Sequence, residues 1–206
     1  MDFLLPDLMV RGGPLMIPIF LCSVIALGFF FERLFKLRRP RVLPRNLIQN
    51  VNDLISRRKY HDALYLCQGN QSAMARIYQA ALKISGAPRT ALKEVVQEVG
   101  RREAEELEKY ISILSTVVSI SPLLGLLGTV SGMIKTFNVI SYYGVGNPGT
   151  LASGISEALL TTAAGLSVAI PTLVGHRFIA SKADGLISEL EEHSLLLVEA
   201  LKGPEN

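Results

Sequence analysis

The sequence predicts an all-α membrane protein. Three transmembrane helices cross the bilayer, and long helices extend from them into a cytoplasmic helical domain. Three observations carry this expectation. Hydrophobic residues make up 49% of the 206, and the mean hydropathy is +0.34, high for a chain that folds in water. The apolar residues gather in three segments of bilayer length. The polar sequence between them repeats its apolar residues at helical spacing and shows no strand alternation.

The segments follow in order. Residues 1–13 (MDFLLPDLMVRGG) carry Asp2 and Asp7 and no basic cluster. No small-residue cleavage site follows the first apolar run, so that run reads as a retained span and not as a signal peptide. The first span covers 14–35, with PLMIPIFLCSVIALGFFF as its apolar part. Its exit is strongly basic, with Arg33, Lys36, Arg38, Arg39, Arg41 and Arg45, and by the positive-inside rule that side is cytoplasmic. Residues 36–110 form the cytoplasmic domain. LIQNVNDLISRRKYHDALYLCQG reads as one helix stopped by Gly69, and SAMARIYQAALKISG as a second ending at Gly86. A third, from about Pro88, is expected to run without interruption into the second span, 111–140. The link 141–154 has no Lys or Arg and carries Gly, Asn and Pro, which marks an outside turn. The third span covers 155–178. It is followed by 179–206, a C-terminal cytoplasmic helix reaching to near Gly203. The N-terminus is therefore outside, and the domain and C-terminus inside.

The spans hold unusual residues. Stepping by seven from Thr129 reaches Pro122, Ser115 and Thr136, and Ser119, Leu126 and Met133 join that stripe. Such a 3-4 spacing is a helix-packing seam, and polar side chains in a span face protein or a water-filled cavity, not lipid. Gly125, Gly128 and Gly132 form a second face suited to close helix approach. On the third span, Ala158, Thr162, Gly165, Ala169 and Thr172 form a small, partly polar stripe. Glu157 is the one acid of that span. It must sit at the interface, pair with a cation or face a cavity. Glu157 and Thr161 lie one turn apart, whereas Glu157 and Thr162 point about 140° apart on an ideal helix. Pro171 offers a local bend. Blander readings stand beside these. Hydroxyls in spans often bond the preceding turn's carbonyl, glycines serve packing alone, Lys135 snorkels outward, and His176 with Arg177 is an interfacial basic pair.

Other chemistry is excluded by pattern. There is no GxSxG, no nucleotide-binding GxxxxGK[ST], no HExxH and no CxxC. Cys22 and Cys67 lie in unlike, distant segments, so neither a disulfide framework nor a metal site is expected. The net charge of +3 belongs to cytoplasmic loops and points to no nucleic acid. An enzyme is the least supported class, and no cofactor is expected.

ISPLLGLLGTVSGMIKTF followed by GISEALLTTAAGLSVAIP resembles the paired signature of the ExbB/TolQ branch of the MotA/TolQ/ExbB proton-channel family. The resemblance is strongest over residues 111–175, and the three-span layout is similar throughout. It implies a bacterial inner-membrane homopentamer whose second and third spans line a central pore. A dimer of a single-span ExbD/TolR-like protein would sit in that pore and carry a membrane Asp. Protons would be the transported ion, and a TonB- or TolA-like protein would receive the force. The family's two pore threonines fall on Thr129 and Thr162, its membrane glutamate on Glu157, and its prolines on Pro122 and Pro171. The pore-lining candidates are thus Thr129, Thr162, Glu157, Pro122, Ser115, Ser119, Thr136 and Thr161. Ser131 stands where the motif often has an aromatic residue, and Thr161 precedes Thr162, so either hydroxyl could matter. A gliding-motility stator of the same layout and a non-conducting scaffold are the competing expectations.

Overall fold

The computed structural model describes residues 12–144 and 148–202, and these fold into eight helices with no strand among them. They are α1 (Met16–Lys36), α2 (Arg39–Val42), α3 (Arg45–Ser56), α4 (Tyr60–Gln68), α5 (Ala73–Lys83), α6 (Arg89–Glu108), α7 (Ile111–Tyr143) and α8 (Pro148–Lys202). Three helices are long and apolar enough to cross a membrane: α1, α7 and α8. The all-α, three-span class read from the sequence is the fold observed. Most of the expected 1–13 terminus and the last four residues lie outside the described residues.

The chain divides into two compact units. The first holds residues up to Glu32 and Tyr110–Phe178. Its apolar centre is Ala26, Leu114 and Val117, packed against Phe29, Phe30 and Val168. Large apolar side chains such as Leu21, Leu123, Phe137, Ile170 and Val174 stand exposed on its helices, the inverse of a water-soluble core and the pattern a hydrocarbon surrounding stabilises.

The second unit holds Arg33–Lys109 and Ile179–Asn206. Amphipathic α3, α5 and α6 put Val51, Ile55, Met74, Ile77, Leu82, Leu92 and Val96 into one buried core. Ser72 caps α5, its hydroxyl oxygen accepting from the Ala75 amide at 3.2 Å. The Tyr78 hydroxyl donates to the Asn52 side-chain oxygen at 2.8 Å, linking α5 to α3. Arg76 on α5 grips the Glu103 carboxylate on α6 with two guanidinium nitrogens. That hydrogen bonding holds the guanidinium pKa above its ordinary value.

Three elements differ from the sequence reading. The single helix expected up to Gly69 is two, because Arg58 takes a left-handed conformation (φ 58°). The Lys59 amide returns to the Leu54 carbonyl and the Arg58 amide to the Ile55 carbonyl, both at 2.9 Å. This is the Schellman closure, made here without the usual glycine. The helix expected to enter the second span unbroken stops at Glu108. Tyr110 is left-handed (φ 65°) and α7 starts at Ile111. The outside link expected over 141–154 is largely helical, since α7 persists to Tyr143 and α8 opens at Pro148, whose fixed φ and missing N–H suit a first helical position. As expected, α8 then continues to Lys202.

Candidate functional site in the helix pair

The pair α7 and α8 is an antiparallel hairpin whose close approach is set by glycines. A Cβ at Gly125 would come within 3.0 Å of the Thr162 Cα, one at Gly132 within 2.9 Å of the Ala158 Cβ, and one at Gly165 within 2.5 Å of the Ser121 carbonyl oxygen. Without a Cβ at these places the two backbones meet directly, as small-residue interfaces in membranes do. The buried stripe of α7 is therefore Ser121, Gly125, Gly128, Gly132 and Thr136, and that of α8 is Ala158, Thr161, Gly165 and Ala169.

The second, polar stripe of α7 lies elsewhere. At about 100° per residue, Ser115, Ser119, Leu126 and Met133 project about 100° around the helix from the glycine face. Ser115, Ser119, Leu126 and Met133 are exposed, and Pro122 and Thr129 are half-buried at the stripe's edge. Thr136 parts from this group. A strict step of seven drifts about 20° per heptad on a straight helix, and from Ser115 to Thr136 that drift carries the residue into the glycine face. Thr136 is buried there at 6% exposure, its hydroxyl donating to the Gly132 carbonyl at 2.9 Å.

The hydroxyls divide into two kinds. Those of Ser119 and Thr129 donate to carbonyls of their own helix, at Ser115 (3.1 Å) and Leu126 (2.7 Å). Thr162 instead reaches across to the Gly125 carbonyl of α7 at 2.9 Å. Thr161 is buried at 1% exposure. Its hydroxyl lies 2.8 Å from both the Gly12 and the Glu157 carbonyl oxygens. One hydroxyl proton serves both acceptors. Thr161 thus occupies the centre of the α8 packing face, where the sequence reading had put Thr162. Thr162 sits at its edge, on the side that carries Thr129. Pro122 and Pro171 lie inside unbroken helices, each leaving the carbonyl four residues before it without its helical donor.

Glu157 lies on the opposite flank. Its carboxylate accepts from Lys135 Nζ at 2.6 Å. Lys135 does not snorkel away; it pairs across the hairpin. Of the three settings expected for Glu157, pairing with a cation is the one observed. The signal was the hairpin's register, since the two residues stand within one position of the same distance from the facing helix ends at Tyr143 and Pro148, as do Gly132 and Ala158, which the structure also brings together.

The basic cluster has a fixed role in the second unit. Arg33 is 1% exposed, and one guanidinium nitrogen donates to the Glu106 carbonyl at 3.2 Å. Arg39 pairs with Glu189 at 2.7 Å, and Arg38 stands 4.8 Å over the Phe35 ring. Arg33, Lys36 and Arg41 line a cavity of about 630 Å³ with Arg76, Glu103 and Glu106. Arg45 is exposed. Among the described residues no group of three or more His, Cys, Asp or Glu could hold a metal ion.

These features define a multi-pass, all-helical membrane protein built around a glycine-packed hairpin with hydroxyls along one edge. The family model for the MotA/TolQ/ExbB proton channel family matches residues 69–192. The ExbB-like 1 biopolymer transport protein of Synechocystis sp. is 33% identical over 184 residues, covering 85% of this chain and 70% of that protein. The biopolymer transport protein exbB1 of Vibrio cholerae is 29% identical over 195 residues, 93% of this chain and 85% of that one. The Tol-Pal system protein TolQ of Pseudomonas aeruginosa is 40% identical over 86 residues, 42% of this chain and 37% of its own. The chain belongs to the MotA/TolQ/ExbB proton channel family, in its ExbB/TolQ branch.

Proposed function

We propose that this chain is the channel-forming subunit of a proton-driven motor in a bacterial inner membrane, with its N-terminus periplasmic and its C-terminus cytoplasmic. Five copies would surround a dimer of a single-span, acid-bearing protein of the ExbD/TolR type, and the work would pass to a TonB- or TolA-like protein in the periplasm. One observation carries the reading. The described hairpin supplies hydroxyls along one edge but no carboxylate there, because Glu157, the one acid of the third span, lies on the other flank against Lys135. A proton-driven device needs a group that gains and loses a proton within the membrane, so a second protein must bring it. The exposed stripe of Ser115, Ser119, Leu126 and Met133 is the surface left for that partner or for a neighbouring copy.

In this reading Thr162 and Thr129 line the route. A hydroxyl that donates to a carbonyl keeps two lone pairs to accept from water or from a protonated acid; to pass a proton on, each must turn its own O–H from the Leu126 or Gly125 carbonyl toward the next acceptor. Pro122 and Pro171 each free one carbonyl from its helical donor. Ser115 and Ser119 continue the polar edge toward the cytoplasmic side. Thr136 and Thr161 are packing hydroxyls.

The test is proton flux into vesicles containing the complex, with native mass spectrometry on the same preparations. Thr162→Ala and Thr129→Ala are expected to lower flux at least tenfold while the five-to-two stoichiometry persists. Unchanged flux in both variants would remove Thr162 and Thr129 from the route. A complex without a single-span, acid-bearing partner would remove the motor altogether.

A further inference from the structure

Lys135, Glu157, Thr161 and the backbone of Gly12 and Gly13 converge at the outer end of the hairpin. Lys135 Nζ donates to Glu157 Oε1 at 2.6 Å. Gly13 lies so close to the same carboxylate that a Cβ there would overlap Oε1, and it adopts φ +73°, a region that disfavours any residue with a side chain. The Gly12 carbonyl accepts from the buried Thr161 hydroxyl. The Gly13 carbonyl then accepts from the Met16 amide at 3.1 Å, starting α1.

We propose that Lys135 is a positioning residue that holds Glu157 as an ionised, neutralised pair, and that Gly12–Gly13 closes over this pair, so that the three fasten the entry of α1 to α7 and α8. The physical argument is one of charge and space. Glu157 is about a quarter exposed and Lys135 about half, and their surroundings are apolar helix surfaces. An ionised carboxylate there is costly alone and much less so beside an ammonium group. Lys135 thereby fixes which way the carboxylate points, and that direction decides whether Gly13 can approach. The backbone of Gly12 and Gly13 can reach the pair because nothing projects from either Cα. Glu157 acts in this chain as half of a clasp and not as a member of the proton route. That last consequence rests on the motor reading; the clasp itself does not.

Two measurements decide it. The first is hydrogen–deuterium exchange of the amides of Met16, Ile17 and Ile19 in the full chain in lipid nanodiscs, with no partner and no gradient. Lys135→Met, Glu157→Gln and Gly13→Ala are each expected to raise exchange about tenfold. The double variant Lys135→Met/Glu157→Gln should be no faster than the singles, and Lys135→Arg should stay within about twofold of the parent. Unchanged exchange in Lys135→Met, or additive effects in the double variant, would overturn the clasp. The second is proton flux in the assembled complex. The neutral double variant should recover most of the flux lost in either single, because it leaves no unpaired charge. A double variant as impaired as Glu157→Gln alone, with Lys135→Met close to the parent, would mean that Glu157 carries protons itself. A complex that conducts no protons in any form would sink the motor reading, while the exchange measurement would still decide the clasp.

Discussion

Cys67 and Glu103 show how single side chains depend on what surrounds them. Burial raises the Cys67 thiol from 9.0 to about 11, so at pH 8 only about one thiol in a thousand is ionised. Maleimide labelling at pH 8 is therefore expected to be at least tenfold slower in the folded chain than in the denatured one. Because the folded state holds this proton more tightly than the unfolded state, the stability it contributes is complete below about pH 9. It fades as the pH rises toward 11. Glu103 has only 10% of its side chain exposed and depends on Arg76. Arg76→Met is expected to cost about 1–3 kcal/mol by leaving a buried carboxylate without its strongest donor, read as a lower thermal midpoint. Arg76→Lys should recover only part of that loss, since an ammonium group cannot make the two-nitrogen grip. Neither effect was visible in the sequence, where Cys67 and Glu103 look like ordinary residues of a polar region.

At the scale of the helices, local pattern and tertiary closure divide the work of setting the boundaries. Hydropathy and period located α1, α7 and α8, because both are local properties of the chain. The breaks at Arg58 and Tyr110 were missed, because left-handed turns usually announce themselves by glycine and these two do not. A non-glycine residue in that region carries a cost of roughly 1 kcal/mol. Arg58→Gly is accordingly expected to raise the thermal midpoint or leave it level, whereas Arg58→Pro should lower it sharply, because the Arg58 amide donates to the Ile55 carbonyl. On the hairpin, Gly165→Leu would drive a side chain into the Ser121 carbonyl and the Gly125 backbone. It is expected to cost about 3 kcal/mol or more, beyond the usual range for overpacking, because backbone and not a flexible side chain stands in the way. Protease susceptibility of the hairpin in detergent checks it.

Across the whole molecule, the two stripes of α7 differ in what they meet within the chain. The glycine stripe is used up inside the chain, and the Ser115–Met133 stripe is not. A substitution on each should separate folding from assembly. Ser119→Leu is expected to leave the unfolding temperature of the isolated chain unchanged and to reduce the fraction of higher complex seen by native mass spectrometry. Gly165→Leu is expected to lower both. Equal effects of the two on the isolated chain would mean that the exposed stripe is also needed within one subunit.

The all-helical class, the three spans, the glycine face, the candidate threonines and the family are legible in the chain before it folds, because each is written in local period, hydropathy or a contiguous motif. Tertiary structure alone decided which small stripe the hairpin consumes, that the Thr161 and Thr136 hydroxyls lie buried while Thr162 reaches across to Gly125, and that Lys135 pairs with Glu157 under Gly13. The physical reason is that periodicity fixes the angle of a side chain about its own helix axis. Which angular sector meets a neighbour depends on the register and closeness of two helices, and those emerge only when the backbones come together.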